Sequence, residues 1–117
     1  RNAQYLMNRR TSPSEVELHC EWDDILVVRA GAGVVSHSSR VQKPVKYTWG
    51  EWRAARLVTP EEVTVRPGDV VRIPAGAAHQ VRPLGDVPLV YLVVKVRSAM
   101  EGMCGSLEKA MGRRRGE

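Results

Sequence analysis

The stretch VELHCEWDDILVVRAG, residues 16–31, decides how the rest of the chain is read. Val16, Leu18 and Cys20 fall on one parity, Glu17 and His19 on the other. In an extended strand residues i and i+2 share a face, so this segment has one apolar and one ionisable side. Trp22 and Asp23 mark a hinge, and DILVVRAG then begins a second strand in which Asp24 shares the parity of Leu26 and Val28. Ionisable groups on the buried face of a strand are costly unless something binds them. The segment is therefore either a wet sheet edge or half of a site.

The flanking sequence extends the β pattern. AQYLMNRRT reads as a short strand and TSPSE as the turn after it. AGAG is a tight turn into VVSHSS, because glycine permits positive φ. The segment SRVQKPVKYTWGEWRAARLV is the least regular, broken at Pro44 and turning at Gly50. EEVTV, VVRIP, HQVRP and PLVYLVVKV follow as strands, separated by RPGD, AGAA and LGDV. Residues 98–112 alone have helical composition, weakened by the glycines inside. Short strands with Gly/Pro turns every 8–12 residues describe an all-β sandwich or barrel. The expected organisation is a barrel over residues 1–97, then a helix and basic tail over 98–117.

Composition narrows the function classes. The chain's 117 residues allow one packed core. Valine occurs 18 times and phenylalanine not at all, a β-branched bias that favours strands. No apolar run reaches membrane-spanning length. The start at Arg1 is compatible with a trimmed leader. The formal charge is +5, and the tail RRRGE accounts for a net two of it, leaving +3 on the barrel. Scattered cations without interleaved aromatics exclude a nucleic-acid stripe and fit a solvated tail. Cys20 and Cys104 read as two free thiols, which suits a reducing, cytoplasmic setting.

Far from the opening stretch, GDVVRIPAGAAHQVRP places His79 directly after a Pro-x-Gly turn. Together the two segments resemble the conserved motifs of the cupin superfamily, G(X)5HXH(X)3,4E(X)6G and G(X)5PXG(X)2H(X)3N. Gly68, Pro74, Gly76 and His79 fall at the second motif's spacing, with Pro83 in place of its asparagine. In the first motif Glu17 stands at the first histidine, His19 at the second and Asp24 at the glutamate. Gly31 closes that motif and Thr11 replaces its leading glycine. The resemblance covers roughly residues 4–96. It implies a single-domain jelly-roll β-barrel whose motif residues converge on one metal inside, here Glu17, His19, Asp24 and His79. Two imidazoles and two carboxylates suit Fe(II), Mn(II), Ni(II) or Zn(II) without choosing among them. Aspartate is one methylene shorter than glutamate, so Asp24 has the alternative role of orienting a ligating imidazole.

Other residues complete the expected pocket. Tyr91, Val93 and Lys95 share one parity, while Leu92, Val94 and Val96 form an apolar set expected to face a packed layer. Lys95 is read either as a pocket acid or base or as a lysine snorkelling to solvent. Arg53 is the candidate anchor for an anionic substrate group, with structural pairing to Glu17 or Asp24 as its alternative. Trp22, Trp49 and Tyr91 are candidate walls, and His37 reads as a surface histidine. Three functions follow. The first is a small metal-dependent enzyme, with Glu17 as a base, running oxidation, isomerisation, cyclisation or lyase chemistry on a small organic molecule. Compact cupins of this size resemble accessory enzymes of small-molecule biosynthesis. The second is a ligand-binding barrel without turnover. The third is a metal-free barrel that moves a proton between His79 and Asp24. A homodimer is expected, because cupins commonly pair through their sheets and an open edge needs cover, with the helix at residues 98–112 as the alternative cover for that edge.

Overall fold

The computed structural model describes residues 3–100 and 102–115. Among these residues twelve strands precede one helix: β1 (Ala3–Arg10), β2 (Val16–His19), β3 (Trp22–Ala30), β4 (Gly33–Ser38), β5 (Val41–Gln42), β6 (Val45–Thr48), β7 (Glu51–Ala54), β8 (Arg56–Leu57), β9 (Glu61–Val65), β10 (Val70–Ile73), β11 (Ala78–Pro83), β12 (Leu89–Arg97) and α1 (Met103–Arg115). Two antiparallel sheets form a jelly roll: one ordered β1-β12-β3-β10, the other β6-β7-β2-β11-β4-β9, with β5-β8 as a small third ribbon. The irregular segment 39–58 supplies β5 to β8, broken and turned at Pro44 and Gly50. The helix runs to Arg115, so Arg113–Arg115 of the basic tail are helical in backbone rather than an unstructured terminus. Residues 116 and 117 lie outside the described residues. No helix among the described residues is long and apolar enough to cross a membrane.

Two apolar clusters hold the fold, and they explain the alternation in β2. The first lies between the sheets and includes Leu26, Val28, Val35, Ile73, Val81, Tyr91 and Val93. The second lies outside the six-stranded sheet, where Val16, Leu18, Cys20 and Trp52 meet Met111, with Leu107 and Met103 packed against them. Helix α1 thus covers the outer side of β2, and the apolar parity of that strand is turned toward it. Glu17 and His19 are left facing the interior. The strand is covered on both faces, which is why its ionisable residues end up inside.

The helix is held by more than apolar contact. Gly50 N–H donates to Glu108 at 3.0 Å, and Lys46 pairs with the same carboxylate at 2.8 Å. Cys20 and Cys104 form a disulfide across 84 residues, with Cα atoms 5.1 Å apart. The two cysteines are therefore not free thiols. Cys20 follows the parity of Leu18 away from the interior, and the first turn of α1 brings Cys104 onto it; neither the separation nor the weak helical signal announced that contact. The cytoplasmic expectation leaned on free thiols and loses that support, since disulfides persist chiefly in oxidising compartments. Cys104→Ser is expected to destabilise the protein by about 2–4 kcal/mol. Chemical denaturation with and without reductant checks this: reductant should shift the wild type toward the variant and leave the variant unmoved.

The last strand corrects a second expectation. Tyr91 and Val93 are buried in the inner cluster, whereas Val96 is 37% exposed and Leu92 and Val94 are half-buried. The packed layer lies on the Tyr91–Lys95 side. The alternate set faces outward beside β1, where Tyr5 pairs with Val94 and Met7 with Leu92.

Candidate metal centre

Three strands and one turn bring the ionisable groups together. β2 carries His19, β3 carries Asp24 on its inner face, and β11 carries His79, whose register partner on β2 is Glu17. The turn before β11 is clamped to β2, because Gly76 N–H donates to the His19 carbonyl at 2.8 Å. Gly76 takes φ +88°, and a Cβ there would lie 2.9 Å from the Met103 sulfur. The left-handed backbone of the turn before His79 therefore calls for glycine, and the Met103 thioether of the following helix packs onto the bare Cα.

His19, Asp24 and His79 are all buried, with exposures of 1%, 4% and 4%. Asp24 Oδ2 lies 3.0 Å from His19 Nε2 and 3.5 Å from His79 Nε2, while Lys95 Nζ donates to Oδ1 at 2.8 Å. The imidazole rings meet edge to face with centroids 5.0 Å apart. Burial alone would raise the Asp24 pKa. The hydrogen bonds from His19 and His79, the charge interaction with His19 and the Lys95 ammonium outweigh it and hold the carboxyl far below its ordinary value of 3.8. Asp24 is thus a carboxylate at any physiological pH.

The tautomer of His79 follows from its neighbour. Its Nδ1 lies 3.0 Å from the Ala77 carbonyl, which can only accept, so Nδ1 carries the hydrogen and donates. Nε2 is then the nitrogen that faces Asp24: with a proton it donates to Oδ2, and without one it is a bare lone pair free to ligate an ion. A backbone carbonyl fixing a histidine in this way is the usual outer support of a metal-ligating imidazole. His19 has the complementary feature, since its Nδ1 is buried without a hydrogen-bond partner among the described residues.

One ligand atom from each of His19, Asp24 and His79 lies within 4.8 Å of the others. Two imidazoles and one carboxylate are a donor set that first-row divalent ions accept, with coordination positions left over. On residue types, burial and convergence, this group fits a metal ion.

The other candidates are distributed as follows. Glu17 lines the cavity, but its carboxylate lies outside the His/Asp/His group and 3.5 Å from Arg53. Arg53 is not among the cavity's lining residues; it pairs with Glu15, Glu17 and Glu51, so structural pairing is its observed role. Trp22 also lies outside the cavity lining, with the Arg97 guanidinium 4.4 Å above its ring. Trp49 is exposed and near the disulfide. Lys95 and Tyr91 both line the cavity, and Lys95 is occupied by Asp24 rather than snorkelling free. His37 is half-buried, 3.8 Å from Glu61, and sits beside His79 in the strand register without joining the group.

The cavity over the group has a volume of about 240 Å³. Its wall includes Leu6, Asn8 and Arg10 from β1, none of them singled out by sequence. The only available signal was the parity of AQYLMNRR, and that strand is mixed on both faces. Tyr5 and Met7, its more apolar side, point to solvent at 78% and 54% exposure.

With this geometry in view, comparison with known proteins is direct. Residues 55–95 match the family described as Cupin domain. No curated protein sequence matches the chain. Among solved structures, a hydroquinone 1,2-dioxygenase in complex with Cd2+ and 4-hydroxybenzonitrile is 20% identical at TM-score 0.62, with 84% of this chain and 60% of that one covered. A sugar phosphate isomerase of the cupin superfamily from Silicibacter pomeroyi is 23% identical at TM-score 0.56, covering 84% and 52%. The oxalate decarboxylase of Lactobacillus farciminis, in a formate complex, is 20% identical at TM-score 0.57, covering 81% and 24%. The chain spans less than two thirds of each of these proteins. The match over residues 55–95 and these structural likenesses show a cupin fold. The described residues form one barrel of that fold with a buried His/Asp/His group.

Proposed function

We propose that this cupin is a metal-dependent enzyme acting on a small organic molecule in the barrel cavity. The supporting observation is the convergence of His19 Nε2, Asp24 Oδ2 and His79 Nε2, with His79 held in the ligating tautomer by the Ala77 carbonyl. A divalent ion there, with Fe(II), Mn(II), Ni(II) and Zn(II) as candidates, would polarise a bound oxygen and lower the pKa of a bound water. The chain's own groups have separate tasks. Lys95 holds Asp24 ionised and oriented through Oδ1, leaving Oδ2 toward the imidazoles. Glu17 lies beside His79 on the cavity wall, a carboxylate placed to take a proton from a bound molecule. Leu6, Leu26, Val81 and Val93 supply apolar wall that limits water around the reacting groups. Turnover at such a site requires that part of the coordination sphere stay open, which separates an enzyme from a barrel holding a purely structural ion. Protein loaded with Mn(II) is expected to speed the relaxation of solvent protons well beyond free Mn(II), because water reaches the ion through the cavity. Stoichiometrically bound Mn(II) with no such enhancement would favour the closed, non-catalytic barrel.

A further inference from the structure

We propose that Arg10 and the Tyr91 hydroxyl form a carboxylate receptor in the cavity wall, so that the ligands of this barrel are small organic acids. As a statement about substrate, the inference rests on the metal-dependent reading of the same cavity.

The charges of the cavity divide in a way that leaves one over. Asp24 is engaged by Lys95 and both histidines. Glu17 faces Arg53, which approaches from outside the lining. Arg10 is half-buried on the inward face of β1, and its Nε donates to the Tyr91 hydroxyl at 2.8 Å. It has no carboxylate partner among the described residues. A guanidinium carries five N–H donors in a planar fork, and this bond uses one of them.

The tyrosine makes the arrangement a receptor rather than a loose cation. Tyr91 is 2% exposed, so its ring is fixed in the inner cluster and braces Arg10 in place. Its oxygen accepts from Arg10, which leaves its own hydrogen to donate to a ligand. Burial raises the Tyr91 pKa, and the opposing effect of Arg10 does not reverse the shift, so the hydroxyl keeps that hydrogen. A braced guanidinium and a phenol that already face a cavity lose little freedom when an anion arrives.

Geometry and volume favour a carboxylate over a phosphate. A guanidinium and one hydroxyl can satisfy the two oxygens of a carboxylate, and a planar fork matches that group. A phosphate would present a further oxygen, and the other cation of the wall, Lys95, is already held by Asp24. At about 240 Å³ the cavity is smaller than ordinary ligand pockets of ~300–1,000 Å³, which restricts the acid to a few carbons.

The test is calorimetric titration of metal-free and Zn(II)-loaded protein with propanoate and malonate, using propanamide and inorganic phosphate as controls. The wild type should bind at least one of the acids and not the amide. Arg10→Gln should weaken that binding on the order of 10- to 100-fold, and Tyr91→Phe by a smaller factor, as expected for loss of a charged and a neutral hydrogen bond. Arg10→Lys, which keeps the charge and loses the fork, should fall between. Each variant is first required to melt within a few degrees of the wild type; Arg10 is at a half-exposed strand end, so Arg10→Gln should pass. Equal acid affinity in the wild type and Arg10→Gln, or tighter phosphate than acid binding, overturns the receptor. Acid binding that needs Zn(II) and ignores Arg10 also overturns it while leaving the metal reading intact. Arg10-dependent binding in a protein that takes up no Zn(II) supports the receptor and removes the metal reading instead.

Discussion

Asp24→Asn is expected to weaken binding of a divalent metal by more than about 100-fold. Loss of an outer partner to a metal ligand typically lowers affinity by 10- to 100-fold, and Asp24 is placed as a ligand itself. Asparagine keeps the shape and an acceptor oxygen, so His19 Nε2–H can still donate to it. What disappears is the negative charge that His19, His79 and Lys95 all address. The fold should survive, because Lys95 is partly exposed and can turn its ammonium to water. Competition for Zn(II) against a chromophoric chelator reads the change directly. An Asp24→Asn protein that folds and binds Zn(II) as tightly as the wild type would show that this carboxylate holds no metal.

Gly31→Ala is expected to destabilise the barrel by about 2–5 kcal/mol, the sum of a left-handed backbone and an overpacked contact. Gly31 takes φ +73° at the turn between β3 and β4. A Cβ there would overlap the Pro88 carbonyl oxygen and come within 3.2 Å of Leu89 Cα, both backbone atoms at the start of β12. Neither can move without disturbing the pairing of β12 with β3. Gly85 is the internal comparison, with φ +68° and nothing within 4 Å of its would-be Cβ. Gly85→Ala should therefore show only the conformational part, about 1–2 kcal/mol. Urea unfolding of the two variants side by side separates the contributions. Equal midpoints would mean that the close approach of Gly31 to Pro88 carries no energy.

Gly31 also shows why so much of the barrel was legible in the sequence. It closes the spacing that begins at Glu17, and the structure supplies the reason: the turn after β3 runs under the start of β12, where no side chain fits. Pro74, Gly76 and His79 were legible for a related reason, since a tight turn clamped to the His19 carbonyl sets the reach of the following imidazole. Asp24 and Lys95 were each recognised by strand parity, but their contact at 2.8 Å depends on the register of β12 against β3, which no local pattern encodes. The same limit applies to Cys20 and Cys104, joined only because α1 folds back over β2. Of the two readings of Arg53 the structure shows the pairing one, because β7 pairs with β2 and sets the arginine among Glu15, Glu17 and Glu51. Arg10 was missed because β1 turns its more apolar parity to solvent. Hydrophobic alternation points inward only when one face is clearly the drier, and AQYLMNRR offers no such contrast.

The central claim is that His19, Asp24 and His79 hold a metal ion. Its most direct test is elemental analysis by plasma mass spectrometry of the purified protein after incubation with divalent metals and desalting, for the wild type and for His79→Ala. About one equivalent of a transition metal per chain in the wild type, falling to a small fraction of that in the variant, is the predicted result. No metal retained by the folded wild type, or equal metal in both proteins, would contradict the account.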